Sequence, residues 1–343
     1  MALAYVPITL TNNESTATGS GFQQLLLNID MRSYEPFLND DLSNVYFSSD
    51  SAGSTVINSW LESGNSSTSA ATTWWVVTSV AANSTTTIYM QVDLSGTSHR
   101  NNTTTGEAPQ LSSTYAEYDN GANVFTNYWN FAGTGLPTGW TTYGGSVTQN
   151  NGVVFSTSGV ILEYTASKLP ITNILEWYQT GGNSGSTQSV GGGYSVDSSG
   201  NPNTASGAFD QVGSSAGDVY AGSINQQSNG EGSVTAVSGE SYSQTGLSSV
   251  PSQPYIAGTY VAGSTAYATF NYNTVFTQTS SVPATGDYYT WLQEGTGMSN
   301  FGIYWLRTRT YPPSGVMPTV GLGQPTNFPY INTSTNPVEV PDF

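Results

Sequence analysis

Alternation of apolar and polar residues with a period of two is the feature that most constrains the fold of this chain. Segments such as "TTWWVVTSV" (72–80) and "NILEWYQTG" (173–181) show it, and Gly, Asn and Pro residues bound them. No long segment repeats apolar residues at the spacing of an amphipathic helix. The pattern predicts an all-β protein in which "MRSYEPFLNDDLSN" holds a short helical turn.

The predicted strands fall into two sets, which indicates two domains. A chain of 343 residues is also longer than most single domains. The first set comprises residues 5–12, 22–31, 44–49, 55–62, 72–80 and 84–94. The polar stretch "SGTSHRNNTTTGEAPQLSST" that follows has a Pro and no periodicity, so we interpret it as an inter-domain linker.

The second set of strands begins after the linker. It includes "NILEWYQTG", "GGYSVDS", "GDVYAGSINQQ", a hairpin turning at Ala262, Gly263 and Ser264, "DYYTWLQEG" and "FGIYWLRTRTY". The Ser/Gly-rich residues around 182–193 and 226–248 are expected to form loops. Many short strands at close intervals predict a sandwich or jelly roll.

Several motifs resemble known families. "YVPITLTNN", "FQQLLLNID", "DLSNVYFSSDSAGSTVINSWLES" and "TTWWVVTSVAANSTTTIYMQV" resemble an uncharacterised domain of secreted archaeal and bacterial proteins, which has no assigned activity. "EYDNGANVFTNYWNFAGTGLPTGW" and "IYWLRTRTYPPSGVMPTVGLG" resemble the concanavalin A-like, laminin G-like jelly roll of lectins and glucanases. The resemblance implies a β-sandwich of the secreted type at 1–111 and a concanavalin A-like jelly roll at 112–323. The four prolines of "QPTNFPYINTSTNPVEVPDF" indicate an extended C-terminal tail at 324–343.

Charge is sparse and strongly acidic. The chain has 5 Lys and Arg against 22 Asp and Glu, so nucleic acid is not an expected partner, because phosphates require clustered cations. Below about pH 4 the carboxylates are neutral, and few like charges remain to repel one another. The composition suits either an acidic medium, such as the surroundings of a thermoacidophile, or an ordinary Ser/Thr-rich secreted or viral β-protein.

Other sequence features indicate a location outside the cell. Cysteine is absent, so disulfides and thiolate metal sites are excluded, and no run of about 20 apolar residues marks a membrane span. "MALAYVPITL" lacks the pattern of a signal peptide, so we expect either a leader already removed or exit in a virion or by lysis. N-glycosylation acceptors occur at Asn13, Asn65, Asn83, Asn101, Asn102 and Asn332. We predict an extracellular, cell-surface or virion-surface protein.

Catalytic groups are scarce. Retaining glucanases with this jelly roll carry a Glu-x-Asp-x-x-Glu strand, which places two carboxyls about 5 Å apart. This chain has no such pattern: Glu176 stands alone, and Glu117 and Asp119 lack the third acid. The single histidine, His99, lies in the predicted linker. We predict a protein that is not an enzyme, and a glycoside hydrolase using unlinked carboxylates is retained as an alternative.

A calcium site is a further possibility. The resemblance implies calcium in some lectin-like relatives, and Asp119, Asn120 and Asn123 supply suitable oxygens. The same residues also suit plain turns, because Asn and Asp side chains bond their own backbone. We expect turns, with no cofactor, and keep Ca²⁺ as the alternative.

The segment "IYWLRTRTY" (303–311) carries two of the few cations. In a strand, Ile303, Trp305, Arg307 and Arg309 share one face, and Leu306 and Thr308 share the other. If the Leu306 face is buried, then Trp305, Arg307 and Arg309 line an open concave sheet that suits a sugar. If the arginine face is buried, the arginines require acids such as Glu163 or Glu176.

We predict a ligand-binding set from the first of these alternatives. It comprises Trp305, Arg307, Arg309, Trp177 and Tyr194. Trp74 and Trp75 point to opposite faces of their strand, so we expect at least one to be exposed or at a domain interface.

The predicted function is glycan binding or adhesion, with a surface glycan or glycoprotein as partner. The alternative is a self-assembling surface protein, such as a filament, pilus or virion-fibre subunit. In that alternative, the N-terminal strand "YVPITLTN" or the tail "NFPYINTS" adds to an open sheet edge of a neighbour.

Overall fold

The computed structural model is nearly all β and divides into two compact units. It describes residues 3–155, 160–180, 188–195, 219–226, 232–238, 241–247, 254–278, 285–294 and 301–329. Unit 1 comprises Met1–Thr126 and Pro312–Phe343, and unit 2 comprises Asn127–Tyr311. The predicted all-β class is confirmed.

Unit 1 is a sandwich of two four-stranded sheets. Its strands are β1 (Ala4–Asn12), β2 (Phe22–Ile29), β3 (Val45–Ser48), β4 (Ser59–Ser63), β5 (Thr72–Thr78), β6 (Ser84–Val92), β7 (Thr105–Glu107) and β23 (Thr319–Leu322). Sheet A has the order β23-β1-β6-β3, and sheet B has the order β2-β5-β4-β7. Its helices are short: 3₁₀ helices at Arg32–Phe37 and Pro313–Gly315, and α1 at Gly121–Val124. None of the helices in the described residues has the length and apolar character of a membrane span.

The alternation in the sequence explains the core of unit 1. In β1, Val6, Ile8 and Leu10 are buried, while the residues between them are half-exposed. These side chains pack between the sheets with apolar residues of β5 and β6. Burial of such side chains contributes about 1.5–3 kcal/mol each.

Both adjacent tryptophans of β5 are buried, so neither is exposed, and a place at a domain interface stays a prediction. Trp74 packs in the core with its ring 5.2 Å from that of Phe47. Trp75 points to the other face of sheet B, where its ring lies 5.7 Å from that of Phe125 and its Nε1 donates to Glu62 at 2.9 Å. Phe125 and Glu62 therefore contact Trp75 on this face of sheet B.

The C-terminal segment belongs to unit 1. Strand β23 pairs with β1, with Leu322 opposite Ile8, and β6 pairs along the other edge of β1. The ring of Phe328 lies 5.4 Å from that of Tyr34. Residues 312–323 thus lie with the N-terminal unit, whereas the sequence-based division placed them in the jelly roll.

The predicted inter-domain linker after β6 is folded, and the predicted domain boundary at 111 therefore lies within unit 1. Strand β7 pairs in parallel with β4. The Oδ1 of Asn101 accepts from the backbone N–H groups of Thr103 and Thr104 at 2.9 and 2.7 Å, and Arg100 pairs with buried Glu107 at 2.7 Å. Side-chain hydrogen bonds therefore replace periodic packing in this stretch, and unit 1 continues to Thr126.

Unit 2 is a larger two-sheet sandwich. Its strands are β8 (Asn127–Trp129), β9 (Trp140–Tyr143), β10 (Val147–Gln149), β11 (Val153–Phe155), β12 (Ile161–Pro170), β13 (Ile174–Thr180), β14 (Gln188–Ser195), β15 (Val219–Gln226), β16 (Gly232–Ser238), β17 (Ser241–Leu247), β18 (Tyr255–Ala262), β19 (Thr265–Phe270), β20 (Asn273–Gln278), β21 (Asp287–Glu294) and β22 (Phe301–Arg309). Sheet C has the order β10-β11-β22-β13-β18-β19-β20, with β8 also paired to β22. Sheet D has the order β17-β16-β15-β14-β21-β12-β9.

Two predicted loops of unit 2 contain strands. Residues 226–248 include β16 and β17, and β14 begins at Gln188 within the other predicted loop. Ser and Gly dominate these segments, and a Ser/Gly-rich composition resembles that of loops. Ladder pairing to β15 and β21 nevertheless places them in sheet D. The predicted hairpin turn between β18 and β19 is confirmed.

Candidate functional site

A bulge in β22 sets the direction of its side chains. Trp305 lies opposite Tyr178 of β13, but Ile303 lies opposite the next residue, Gln179, so one residue of β22 is extra at Tyr304. Ile303 and Leu306 therefore both point into the core, and Trp305, Arg307 and Arg309 point to the outer face of sheet C. The predicted common face of Ile303 and Trp305 is wrong for this reason.

A buried ion-pair triad lies on this outer face. The Nε of Arg307 donates to Oε2 of Glu176 at 2.8 Å, and the Nε of Arg309 donates to Oε1 at 2.9 Å. The three residues are 0%, 7% and 1% exposed for Arg307, Arg309 and Glu176. The pairing predicted for a buried arginine face is therefore the one observed.

The guanidinium groups determine the charge state of Glu176. Burial by itself would raise the pKa of this carboxyl, but Arg309 and Arg307 outweigh it, so the pKa lies below its usual value of 4.5. A charged Glu176 is thus part of the folded structure near neutral pH.

One pair of tyrosines covers the Trp305 end of the triad. The Arg307 guanidinium lies 4.5 Å from the ring centre of Trp305, a cation–π contact. Tyr178 stacks on Trp305 at 5.6 Å and on Tyr304 at 5.9 Å. Tyr178 and Tyr304 are half-buried, so their rings form the outer layer here.

A second group of tyrosines lies at the Arg309 end. Tyr260 of β18 and Tyr267 of β19 are cross-strand partners, with ring centres 4.6 Å apart and planes inclined by 5°. Tyr311 lies 5.2 Å from Tyr260. All three are half-buried, and burial raises the pKa of Tyr311 to about 12, so the phenol of Tyr311 remains a protonated donor near neutral pH.

Tyr272 connects the β19–β20 turn with the triad. Its hydroxyl lies 3.0 Å from Nη2 of Arg307. Asn271 and Tyr272 form a two-residue hairpin loop with φ of 44° and 71°, where Gly is the usual second residue. A bulky residue in this left-handed conformation costs about 1–3 kcal/mol.

These half-buried residues, which we term the tyrosine face, surround the triad on one face of sheet C. The tyrosine face comprises Tyr178, Tyr260, Tyr267, Tyr272, Tyr304 and Tyr311. It offers flat rings and phenol hydroxyls on a base held by charge-assisted hydrogen bonds. Such a surface can stack against sugar rings and hydrogen-bond their hydroxyl groups.

The predicted ligand-binding set takes a different place. Trp177 and Tyr194 are buried in the core between the sheets, because they alternate with residues of the outer faces. Trp305, Arg307 and Arg309 point to the outer face of sheet C but are buried. The open concave surface expected from these five residues is therefore not observed, and the tyrosines on the outer face of sheet C were missed as a group.

The proposed calcium residues take part in ordinary hydrogen bonds. Oδ1 of Asp119 accepts from Nε1 of Trp60 and from the N–H of Gly121, both at 2.9 Å. The Nδ2 groups of Asn120 and Asn123 donate to backbone carbonyls. Within the part of the chain that the structure describes, no group of three or more His, Asp or Glu is arranged to hold a metal ion. A role for Ca²⁺ stays an untested prediction.

The glycosylation acceptors differ in their surroundings. Asn13 and Asn102 are exposed, whereas Asn65, Asn83 and Asn101 are half-buried. The Nδ2 of Asn101 donates to the carbonyl of His99 at 2.7 Å, so this amide is part of the turn. Asn332 lies outside the described residues.

The acids considered for catalysis belong to different elements. Glu176 lies on β13 of sheet C, and Glu117 and Asp119 belong to unit 1. His99 bonds Asp93 through Nε2 at 3.0 Å.

Comparison with known proteins gives one curated relative and several distant structures. No family model matches the chain. Uncharacterized protein 562 of Sulfolobus islandicus rod-shaped virus 1 is 39% identical over 128 residues, which are 36% of this chain and 21% of that protein. The chain thus spans about a fifth of the relative's length.

The solved structures resemble the chain in fold only. A Bacillus licheniformis β-glucanase is 10% identical with a TM-score of 0.37, and the match covers 54% of this chain and 97% of the glucanase. A carbohydrate-binding module from Bacillus subtilis is 12% identical with a TM-score of 0.33, and the match covers 50% of this chain and 93% of the module. We infer neither activity nor ligand from similarity at this level.

Proposed function

We propose that the protein is a non-catalytic glycan-binding or adhesion protein of the extracellular space or a virion surface, and that unit 2 binds sugar on the tyrosine face. The observation that carries this proposal is the group of half-buried tyrosines on the same face of sheet C as the Glu176–Arg307–Arg309 triad. Tyrosine supplies large contact area at a low entropy cost, together with a hydroxyl group for hydrogen bonding.

The buried triad supports binding through rigidity. Arg307 contacts Glu176, the ring of Trp305 and the hydroxyl of Tyr272, so three parts of the face are joined through one side chain. A surface that is already ordered loses less conformational entropy when a ligand binds. The triad thus serves the tyrosine face without touching the sugar itself.

The arrangement of the acids supports a non-catalytic role. Both carboxylate oxygens of Glu176 accept from guanidinium groups. Hydrolysis of a glycosidic bond uses one protonated and one ionised carboxyl on either side of the bond. A carboxylate held charged between two arginines suits neither proton donation nor attack on the sugar.

A virion location is supported by the viral relative. That protein belongs to a rod-shaped virus, and the identity with this chain is 39% over the matched residues. A display site outside the cell would place the tyrosine face in reach of surface glycans.

The proposal is tested with a glycan array probed at pH 4 and pH 7. We expect the full chain to bind at least one class of glycan. Tyr260→Ala should weaken that binding by about 10-fold, a change that corresponds to the loss of one aromatic contact. Tyr289→Ala is the matched control, because Tyr289 is a half-buried tyrosine of β21 in sheet D. If the wild-type chain binds no glycan on the array, the proposal is contradicted. Release of reducing sugar from a panel of polysaccharides would contradict the non-catalytic part of the proposal.

Self-assembly through strand addition is the alternative function. Strand β1 is paired on both edges, so the N-terminal strand is not available to a neighbour in this structure. Part of the C-terminal tail, 330–343, lies outside the described residues. Ordered polymers of the purified chain in electron micrographs would favour this alternative, and dispersed monomers would oppose it.

A further inference from the structure

The tyrosine face contains two separate platforms. Tyr260 follows Thr259, which lies opposite Leu175 in the ladder between β13 and β18, and Tyr178 lies three residues beyond Leu175, so four residues separate the two rows. An extended strand rises about 3.3 Å per residue, so the two rows lie about 13 Å apart. One platform comprises Tyr260, Tyr267 and Tyr311, and the other comprises Tyr178 and Tyr304.

Between Arg307 and Thr269 the row that separates the platforms holds no tyrosine, and Tyr128 of β8 lies opposite Arg307 at the outer end of this row. It runs from Arg307 through Glu176 and Gly258 to Thr269. A Cβ atom at Gly258 would lie 2.7 Å from Oγ1 of Thr269 and 3.0 Å from Cγ of Glu176, so the row is closely packed at this point.

Tyr272 reaches into this middle row from the side. Three inter-strand spacings of about 4.8 Å separate β22 from β19, a span of about 14 Å. Arg307 extends from β22 and Tyr272 extends from the turn after β19, and their ends meet at 3.0 Å. Together they form a crossbar that runs between the two platforms.

The backbone of Tyr272 adds an independent argument. Its φ of 71° is a conformation that Gly or Asn adopts at lower cost. A strained aromatic residue persists where its side chain has a task that a relaxed residue cannot perform. For Tyr272, the hydrogen bond between its hydroxyl and Arg307 is such a task.

We infer that the ligand is an oligosaccharide that stacks on both platforms at once, and that Tyr272 is the positioning residue that holds the Arg307 guanidinium between the two platforms. This inference rests on the proposed function and deepens it. A single sugar unit cannot contact both platforms. An oligosaccharide of several units can pass over Tyr272 and reach the second platform. The contacts with the second platform therefore favour binding of oligosaccharides over free monosaccharides.

Oligosaccharide ladders test the inference. The probes are glucan, mannan, chitin and polyuronate fragments of one to eight units, printed on one array and titrated against the full chain. We expect affinity to rise steeply with length and then to level off. Tyr178→Ala and Tyr260→Ala should each lower the affinity for the longest bound fragments by about 10-fold, and should each flatten the dependence on length.

The role of Tyr272 is tested with two variants. Tyr272→Phe keeps the ring and removes the contact with Arg307, and Tyr272→Asn relaxes the turn. Both variants should keep the melting temperature within a few degrees and retain binding of fragments that occupy one platform. In both, affinity should no longer increase with the length of the oligosaccharide. A purely structural role would instead change the melting temperature and leave the dependence on length intact.

The outcomes separate this inference from the proposed function. Equal affinity for one unit and for eight units, with Tyr260→Ala still weakening binding, would overturn the two-platform inference and leave glycan binding in place. Length dependence unchanged in both Tyr272 variants would overturn the role of Tyr272. No binding of the wild-type chain at any length would overturn the inference and the proposed function together.

Discussion

At the scale of single residues, the Glu176–Arg307–Arg309 triad shows what alternation in a sequence can and cannot predict. The period of two places Arg307 and Arg309 on one face, and the cost of a buried unpaired charge predicts a partner such as Glu163 or Glu176. The alternation does not say which face is covered, because covering residues come from other strands and from turns. Tyr272 illustrates this, since it reaches Arg307 from a hairpin turn distant in sequence.

Loss of the buried carboxylate should destabilise unit 2. Glu176→Gln removes the carboxylate that two buried guanidinium groups share, at a cost on the order of 3 kcal/mol in the free energy of unfolding. The measurement is urea unfolding at pH 7 followed by tryptophan fluorescence. Asp287→Asn is the control, because Asp287 is an exposed carboxylate of the same unit and should change little. Equal stability of the two variants would contradict a structural role for the triad.

The same carboxyl predicts a dependence of stability on pH. The pKa of Glu176 is lower in the folded chain than its usual value of 4.5, so the charged form stabilises the fold above that pH. This contribution is lost as the pH falls through the folded pKa. We therefore expect the free energy of unfolding to drop less between pH 5 and pH 2 in Glu176→Gln than in the wild-type chain. Parallel curves for the two proteins would show that Glu176 does not carry this pH dependence.

At the scale of elements, the strands with clear alternation were predicted well and irregular features were not. Strands β1, β5, β13, β21 and β22 begin and end close to their predicted limits, because their apolar faces pack against a core. The bulge at Tyr304 was invisible in the sequence, since one extra residue changes the pairing without changing composition. The sequence predicts a linker after β6, but side-chain hydrogen bonds, which leave no periodic pattern, hold this stretch in place.

The neighbouring acceptors Asn101 and Asn102 offer a matched test of that stretch. Asn101→Ala removes bonds to two backbone N–H groups and to the His99 carbonyl, and should cost about 1 kcal/mol or more. Asn102 is exposed, so Asn102→Ala should be nearly neutral. Hydrogen exchange of the peptide spanning 99–107 measures the difference. Faster exchange in both variants, or in neither, would contradict the role given to Asn101.

At the scale of the whole molecule, unit 1 is completed by both ends of the described chain. The N-terminal strand β1 pairs with the C-terminal strand β23, and unit 2 is inserted between Thr126 and Pro312. A linear reading of the sequence divides a chain into consecutive domains, so it could not reveal this arrangement. Only the pairing of distant strands does so.

The C-terminal segment should therefore contribute to the stability of unit 1. Phe328→Ala removes a half-buried ring that contacts Tyr34 and Phe37, and should lower the stability of this unit by about 2 kcal/mol. Val316→Ala, at a residue that is 48% exposed, is the control and should have little effect. Differential scanning calorimetry compares the two. Identical thermograms would show that residues after β23 do not hold unit 1 together.

The central claim is that the tyrosine face of sheet C binds glycan. The most direct measurement is isothermal titration of the tightest array ligand into the wild-type chain, Tyr260→Ala and Tyr289→Ala under identical conditions. The account predicts saturable binding to the wild-type chain and to Tyr289→Ala, with affinity for Tyr260→Ala lower by about 10-fold. Equal affinity for all three proteins would place the ligand elsewhere and contradict the account.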